Sequence, residues 1–323
     1  MRIRSTAERK AQSSMRIACV IVTFNRLGYL KGAFQAVSNQ SSSLDFIIIV
    51  DNNSTDGSVL WLSELAQTRN DVTVLLMDRN YGGAGGFHYG IKKAYESGAD
   101  WIWTMDDDCL PDPDALEKLV DCGIIGSQEA AHEVGFLASR VNWKNGSRHK
   151  MNVPGSARDL TFGHDRSPGC TRIRYGSFVS ILINRNAVEQ VGFPIKEFFI
   201  NFDDLEFTRR ITSAGFSGFH VESSKVSHLT LANVGLTLDQ IVANPAELEL
   251  RKRQYAIRNL VAVNKHERYG LFKETVRLIY ILAKLIINRT PPRTQVALMW
   301  AGVRGLCLDY HKWIKYPSLN RKQ

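Results

Sequence analysis

Short apolar runs and stretches of helical spacing take turns along residues 16–105. Ile17–Phe24, Phe46–Val50, Val72–Met77 and Trp101–Met105 are rich in β-branched and other apolar residues and read as strands. Between them, Leu27–Val37, Asp56–Ala66 and Phe87–Glu96 show the apolar spacing of helices with one buried stripe. Joined by short Gly-, Asn- and Asp-rich links, this alternation predicts an α/β fold, a Rossmann-like and mostly parallel sheet with helices on both faces.

The pattern weakens between about 123 and 170, where Asn, Gly, Ser, Arg and Pro dominate and only Val134–Ala138 reads as a strand. A long strand over Arg174–Ile183 follows, then a short helix. A further helix from Asp203 to Ala214-Gly215 has an acidic start, Arg209-Arg210 near its finish and a closing glycine, as the helix dipole favours. Gly218–Val221 reads as a strand. Beyond Leu231 the spacing is helical, over Pro245–Arg268, Leu271–Asn288 and Val296–Leu308, with Pro291-Pro292 breaking the chain. The expected organisation is a basic, disordered lead-in over 1–14, an α/β domain over 15–230 and a helical region over 231–323.

Composition narrows the setting. With 323 residues and 44% hydrophobic content, a substantial core is available. The five cysteines include no Cys-x-x-Cys pair, which argues against a disulfide framework or zinc site and for a reducing compartment. Residues 1–14 lack the apolar core of a secretory signal. From Arg251 onward, 16 Lys and Arg face 3 Asp and Glu, a net of about +13, which leaves about −4 for residues 1–250. Such a basic tail is either a solvated helical surface or a surface for something anionic. Nucleic acid is disfavoured, because aromatic and basic residues do not interleave as a stacking platform requires. Leu278–Ile287 falls short of the ~20 apolar residues of a spanning helix, leaving a packed helix or one lying in a membrane interface.

Candidate chemistry collects at the predicted strand ends. Asp106-Asp107-Asp108 follow the Trp101–Met105 run, at the sheet edge where open α/β folds place ligands. Consecutive carboxylates repel unless a cation joins them, and hard oxygen donors suit Mg²⁺ or Mn²⁺ beside phosphates. Asp51, at the end of the second run, is either a turn residue or an acceptor for the imino N–H of a uracil or thymine ring. Asn80 to Phe87, with glycines at 82, 83, 85 and 86, reads as a loop that opens a helix and lets backbone N–H groups approach a phosphate or sugar. It lacks the Gly-Lys-Ser/Thr of a P-loop. Asp203-Asp204, with Glu206, are either dipole-favoured helix-start acids or a general base with its neighbour. His228 is either structural or a ligand. No Gly-x-Ser-x-Gly elbow is present.

Taken in order, Val22-Thr23-Phe24-Asn25-Arg26, Val50-Asp51-Asn52-x-Ser54-Thr55-Asp56-Gly57, Asn80-x-Gly82-Gly83-Ala84-Gly85-Gly86-Phe87, Asp106-Asp107-Asp108 and Phe202-Asp203-Asp204-x-Glu206-Phe207 resemble the inverting family 2 glycosyltransferases of GT-A fold. The resemblance is especially to the galactofuranosyltransferase-like and rhamnosyltransferase-like branch, over roughly 16–230. The resemblance implies that Thr23, Phe24 and Arg26 pack against a nucleotide base and that Asp51 binds it. Asn80, Gly83 and Gly85 would lie beside the donor, with Asp107 toward the ribose and sugar. Asp106, Asp108 and His228 would hold Mn²⁺ or Mg²⁺. Asp204 would be the base and Asp203 its supporting acid. The implied partners are a nucleotide-sugar donor, a lipid-linked glycan acceptor and an anionic membrane surface on the cytoplasmic side. Phe202 departs from the Trp of the galactofuranosyl branch, which leaves rhamnose from dTDP-rhamnose as an alternative. A sugar-1-phosphate nucleotidyltransferase would need a basic Gly-rich loop where Thr23-Phe24-Asn25-Arg26 stand. A non-catalytic membrane scaffold would have no need of both acidic clusters.

Overall fold

The computed structural model describes residues 15–125, 133–156, 169–233, 247–266 and 269–314. The expected lead-in over 1–14 lies outside the described residues. The strands are β1 (Ile17–Thr23), β2 (Phe46–Asp51), β3 (Val72–Leu76), β4 (Trp101–Asp106), β5 (Cys109–Pro111), β6 (Val134–Trp143), β7 (Gly155–Ser156), β8 (Cys170–Tyr175), β9 (Ile181–Asn184) and β10 (Ser217–His228). They form one sheet in the order β3-β2-β1-β4-β9-β6-β10-β8-β7, with β5 paired to β10. The first four strands in that order run parallel, and β9 enters antiparallel to both β4 and β6.

Residues alternate across the sheet, so β1 feeds two cores. Ile17, Cys19 and Ile21 pack with Leu30 and Phe34 of α1 (Leu27–Ser38) and Leu62 of α2 (Ser58–Thr68). Ala18, Val20 and Val22 pack with Phe87 and Ile91 of α3 (Gly82–Glu96) on the other face. Burial of the strands on both sides is what their unbroken apolar runs require.

Three expectations need correction. The glycine stretch is not a loop before a helix at Phe87; Gly82–Gly86 are the first turns of α3 itself. Low helix propensity gives way to close packing. A Cβ on Gly86 would lie 2.3 Å from Val22 Cγ1, and one on Gly90 2.3 Å from Val20 Cγ1. The single strand expected over Arg174–Ile183 is two strands, β8 beside β10 and β9 between β4 and β6. The chain turns between them, with Ser180 at φ 61°. The strand expected over Gly218–Val221 runs on to His228, past a register shift between Val221 and Lys225 that the polar Glu222–Lys225 stretch conceals.

The remaining helices are α4 (Ala115–Val120), α5 (Arg185–Val191), α6 (Asp203–Ser213), α7 (Glu247–Asn264), α8 (Gly270–Ile287) and α9 (Pro292–Cys307). The last three share a core of their own, including Ile257, Val261, Leu278, Ile281, Leu285 and Leu298. A second cluster, Ala84, Ile195, Phe198, Ala262, Val263 and Tyr310, joins α7 to the α/β body. Among the described residues no helix is long and apolar enough to cross a membrane.

Candidate active site

Parallel pairing in register brings the strand ends together. Thr23 pairs with Asp51 across β1 and β2, and Val22 with Asp106 across β1 and β4. The chain then turns through Asp107 and Asp108 into β5, whose Cys109 pairs with His228 at the end of β10. His228 thereby stands beside the acidic run despite a long separation in sequence. Its Nε2 lies 3.1 Å from Asp108 Oδ1, and its Nδ1 meets Asn152 Oδ1 at 3.0 Å.

The ligating atoms of Asp106, Asp108, Cys109 and His228 lie within 4.8 Å of one another. Burial, together with the charges of Asp106 and Asp108, keeps the Cys109 thiol protonated by pushing its pKa well up. The remaining carboxylates and imidazole are a donor set that fits a divalent cation. An Nδ1–H donated to Asn152 would leave Nε2 as the coordinating atom of a neutral imidazole. As the side chains stand, burial raises the Asp106 pKa to about 7, with Asp108's charge adding to it. For Asp108, burial acts upward but is outweighed by the His228 hydrogen bond and the charges of His228 and Arg26, so its carboxyl sits below the usual range. For His228, burial acts downward and is outweighed by Asp108, so its pKa rises. A site that concentrates negative charge to this degree is poised for a cation.

Thr23 and Arg26 both reach the acidic run. Thr23 Oγ1 donates to Asp107 Oδ2 at 2.8 Å, and an Arg26 guanidinium nitrogen lies 2.6 Å from Asp108 Oδ2 and 3.4 Å from Asp107 Oδ1. Burial lifts Asp107 to about 6 against the pull of these two partners. Phe24 is exposed at the rim. Asp51 is fully buried; its Oδ2 accepts from the Ser54 N–H at 2.9 Å, while its Oδ1 has no hydrogen-bond partner. Asn80 Oδ1 accepts from the Gly82 N–H at 2.7 Å and so shapes the turn into α3. Gly83 faces open space, whereas Gly85 lies beneath Tyr81, where a Cβ would come within 2.3 Å of the tyrosine's own.

A cavity of about 560 Å³ opens beside this edge, lined by Gly83, Phe87, Asp106, Asn152, Phe178, Phe202, Asp203, Asp204 and His228. Both acidic clusters therefore face one space. Asp203 and Asp204 begin α6, behind a loop in which Phe199, Asn201 and Phe202 all have positive φ, at 65°, 67° and 66°. Three non-glycine residues in that region mark stored strain, a frequent feature of functional sites. Burial and the charge of Asp204 push Asp203 well above the usual carboxylate range. Burial raises Asp204 to about 6; its Oδ1 accepts from the Leu205 N–H at 2.7 Å, and the residue is partly exposed.

Several contributors escaped the sequence. Arg258 and Asn259 of α7 grip the strained loop: Asn259 Nδ2 donates to the carbonyls of Phe198, Ile200 and Asn201 at 3.0, 3.1 and 2.9 Å. Arg258 donates to the Glu197 and Phe198 carbonyls at 2.9 and 3.3 Å, and Tyr255 stacks on Phe199. From the other side, the Phe199 carbonyl accepts from the Ala84 N–H at 3.1 Å and occupies the space a Cβ on Gly82 would need. His149 stacks on His228 with ring centroids 4.7 Å apart, and burial keeps it neutral with a pKa of about 4. Nothing in the local sequence marked His149 or Asn152.

Known proteins now bear on this arrangement. The galactofuranosyltransferase GlfT1 of Mycolicibacterium smegmatis is 30% identical over 212 residues, covering 62% of this chain and 66% of that protein. The chain spans just under two thirds of the length of the curated relatives it matches first. GalNAc-T7, solved with UDP, GalNAc and Mn²⁺, superposes with a TM-score of 0.59 at 14% identity, over 95% of this chain and 59% of its own. The mannosyltransferase PcManGT of Pyrobaculum calidifontis, solved with GDP-Man and Mn²⁺, gives 0.51 at 15% identity, over 90% and 73%. At such identities the likeness speaks to the fold, which is GT-A. Since the model for glycosyl transferase family 2 matches residues 18–190, more than half of the sequence, the chain belongs to that family.

Proposed function

We propose that this enzyme transfers galactofuranose from UDP-galactofuranose, with inversion, to a lipid-linked cell-surface glycan, working as a peripheral protein on the cytoplasmic face of the membrane. One observation carries the reading: Asp106 and His228, two members of the metal-type cluster that Asp108 completes, line a single cavity with the acid pair Asp203-Asp204. The GlfT1 relatives support the choice of sugar. The partnerless buried Oδ1 of Asp51 supports a pyrimidine base with an imino N–H to donate. Phe202, an aromatic residue without an indole N–H, departs from the galactofuranosyl pattern, and dTDP-rhamnose is the second candidate donor.

Asp106, Asp108 and His228 would hold Mn²⁺ or Mg²⁺, which when bound neutralises charge on the departing diphosphate. The protein's own groups do the rest. Asp107, held by Thr23 and Arg26, orients the ribose and sugar. Asp203, buried and with its pKa raised by burial and by the charge of Asp204, steadies the acceptor. Asp204, with one oxygen taken by the Leu205 N–H, removes the acceptor hydroxyl proton with the other. The acceptor oxygen bonds to the anomeric carbon from the side opposite the leaving phosphate, so configuration inverts.

A thermal-shift series with UDP, dTDP and GDP, each with and without Mn²⁺, reads the base and the cation together. Transfer from UDP-galactofuranose and dTDP-rhamnose to a lipid-linked glycan, before and after chelation, reads the reaction. Indifference to every nucleotide and to chelation would sink the proposal.

A further inference from the structure

The outward side of α8 has no use in this chemistry and no cover among the described residues. Its buried stripe is Glu274, Leu278, Ile281 and Leu285. On the opposite side Phe272, Val276, Ile279, Tyr280, Ile286 and Ile287 are all exposed, Phe272 and Ile287 at 72%. At 3.6 residues per turn these six sweep an arc on the order of 120°. A surface helix ordinarily turns polar residues outward; this one is apolar on both sides. Lys273, Arg277 and Lys284 follow one another along one edge of the arc.

Helix α9 continues the surface. It packs against α8 through Leu298 and Ala301, and Gly302 allows an approach in which a Cβ would lie 2.3 Å from Leu278 Cδ2. Its exposed Val296, Trp300 and Val303 sit at i, i+4 and i+7. Arg293 and Arg304 stand near its two ends. Across 270–307 the single acid is Glu274, and it is buried, 3.2 Å from Asn264 Nδ2 and 3.4 Å from Arg277.

We propose that this face of α8 and α9 docks flat on an anionic bilayer, the apolar arc entering the acyl boundary and the Lys and Arg rim meeting headgroup phosphates. The charge selects the occupant. A second copy of the same surface would set basic rims against each other, whereas anionic lipid complements them, and tryptophan suits the interface. The proposal deepens the functional reading by naming the surface that would bring the enzyme to a lipid-linked acceptor. Bilayer binding itself is measured without any transfer.

The test is flotation of the full chain with phosphatidylcholine vesicles, with and without phosphatidylglycerol. Expected is capture by the anionic vesicles that weakens with salt. Phe272→Ser/Ile279→Ser/Ile286→Ser, all at exposed positions, should lower partition at least tenfold or so. Lys273→Gln/Lys284→Gln should lower it by about 25-fold, at roughly fivefold per basic residue. Near-ultraviolet circular dichroism checks that each variant is folded. The proposal is overturned if the parent ignores anionic vesicles, or if the folded triple variant binds like the parent. It is equally overturned if sedimentation equilibrium shows self-association, lost in the triple variant, in place of vesicle binding. Transfer to a water-soluble acceptor should be unchanged in the triple variant. Should parent and variant both lack transfer while binding follows expectation, the functional reading fails and the docking face stands.

Discussion

Asn259→Ala separates packing by the helical region from a role in the reaction. Its amide donates to three carbonyls at 2.9–3.1 Å, inside a fully buried site. The two N–H groups are shared among the three carbonyls, so at about 1 kcal/mol per buried hydrogen bond the change should cost about 2 kcal/mol of stability. The released loop carries three strained residues, each worth on the order of 1–3 kcal/mol, so it has reason to relax. Relaxation moves Asp203 and Asp204, which begin α6 immediately after Phe202. A displacement of about 1 Å at a reacting group costs roughly 10²-fold in rate. Urea unfolding should therefore show the stability loss, and initial-rate kinetics a kcat reduced by about two decades. The KM for the donor should stay near parental, because Asp106 ends β4 and Asp108 lies just before β5, away from that loop. A variant that loses the stability yet keeps parental kcat would refute the positioning argument.

Other changes test other links. Since burial raises Asp204 to about 6, its base form is depleted below that pH; kcat/KM should climb with pH up to about 6 and then level off. Asp204→Asn should remove that limb and ~10²–10⁴ of the rate, as read in a pH–rate profile. Asp108→Asn removes a cluster carboxylate and the partner of both His228 and Arg26. The Mn²⁺-dependent part of the UDP thermal shift should disappear, and kcat/KM should fall by at least about 10²-fold. Gly86→Ala puts a methyl 2.3 Å from Val22 Cγ1 and should cost about 1–3 kcal/mol by denaturant unfolding, with the aspartate clusters untouched.

Local pattern determined most of the α/β half. The apolar runs that became β1, β2 and β4 are buried on both faces, so each had to be continuous and could be read without its neighbours. Their acidic ends were legible for the same reason, because a parallel sheet must gather them at one edge. The glycine stretch misled because helix propensity is a local property, while the need for a bare backbone against Val20, Val22 and Phe199 arises only once α3 meets the sheet and the loop before α6. Likewise β10 could not be read through Glu222–Lys225, and the 170–184 region could not be divided, until strand pairing chose their partners. The family resemblance grouped His228 with Asp106 and Asp108, but only tertiary structure set it 3.1 Å from Asp108, put His149 and Asn152 behind it, and gave Asn259 its grip on the strained loop. These are contacts between residues far apart in the chain, formed by pairing and burial, and no local spacing encodes them.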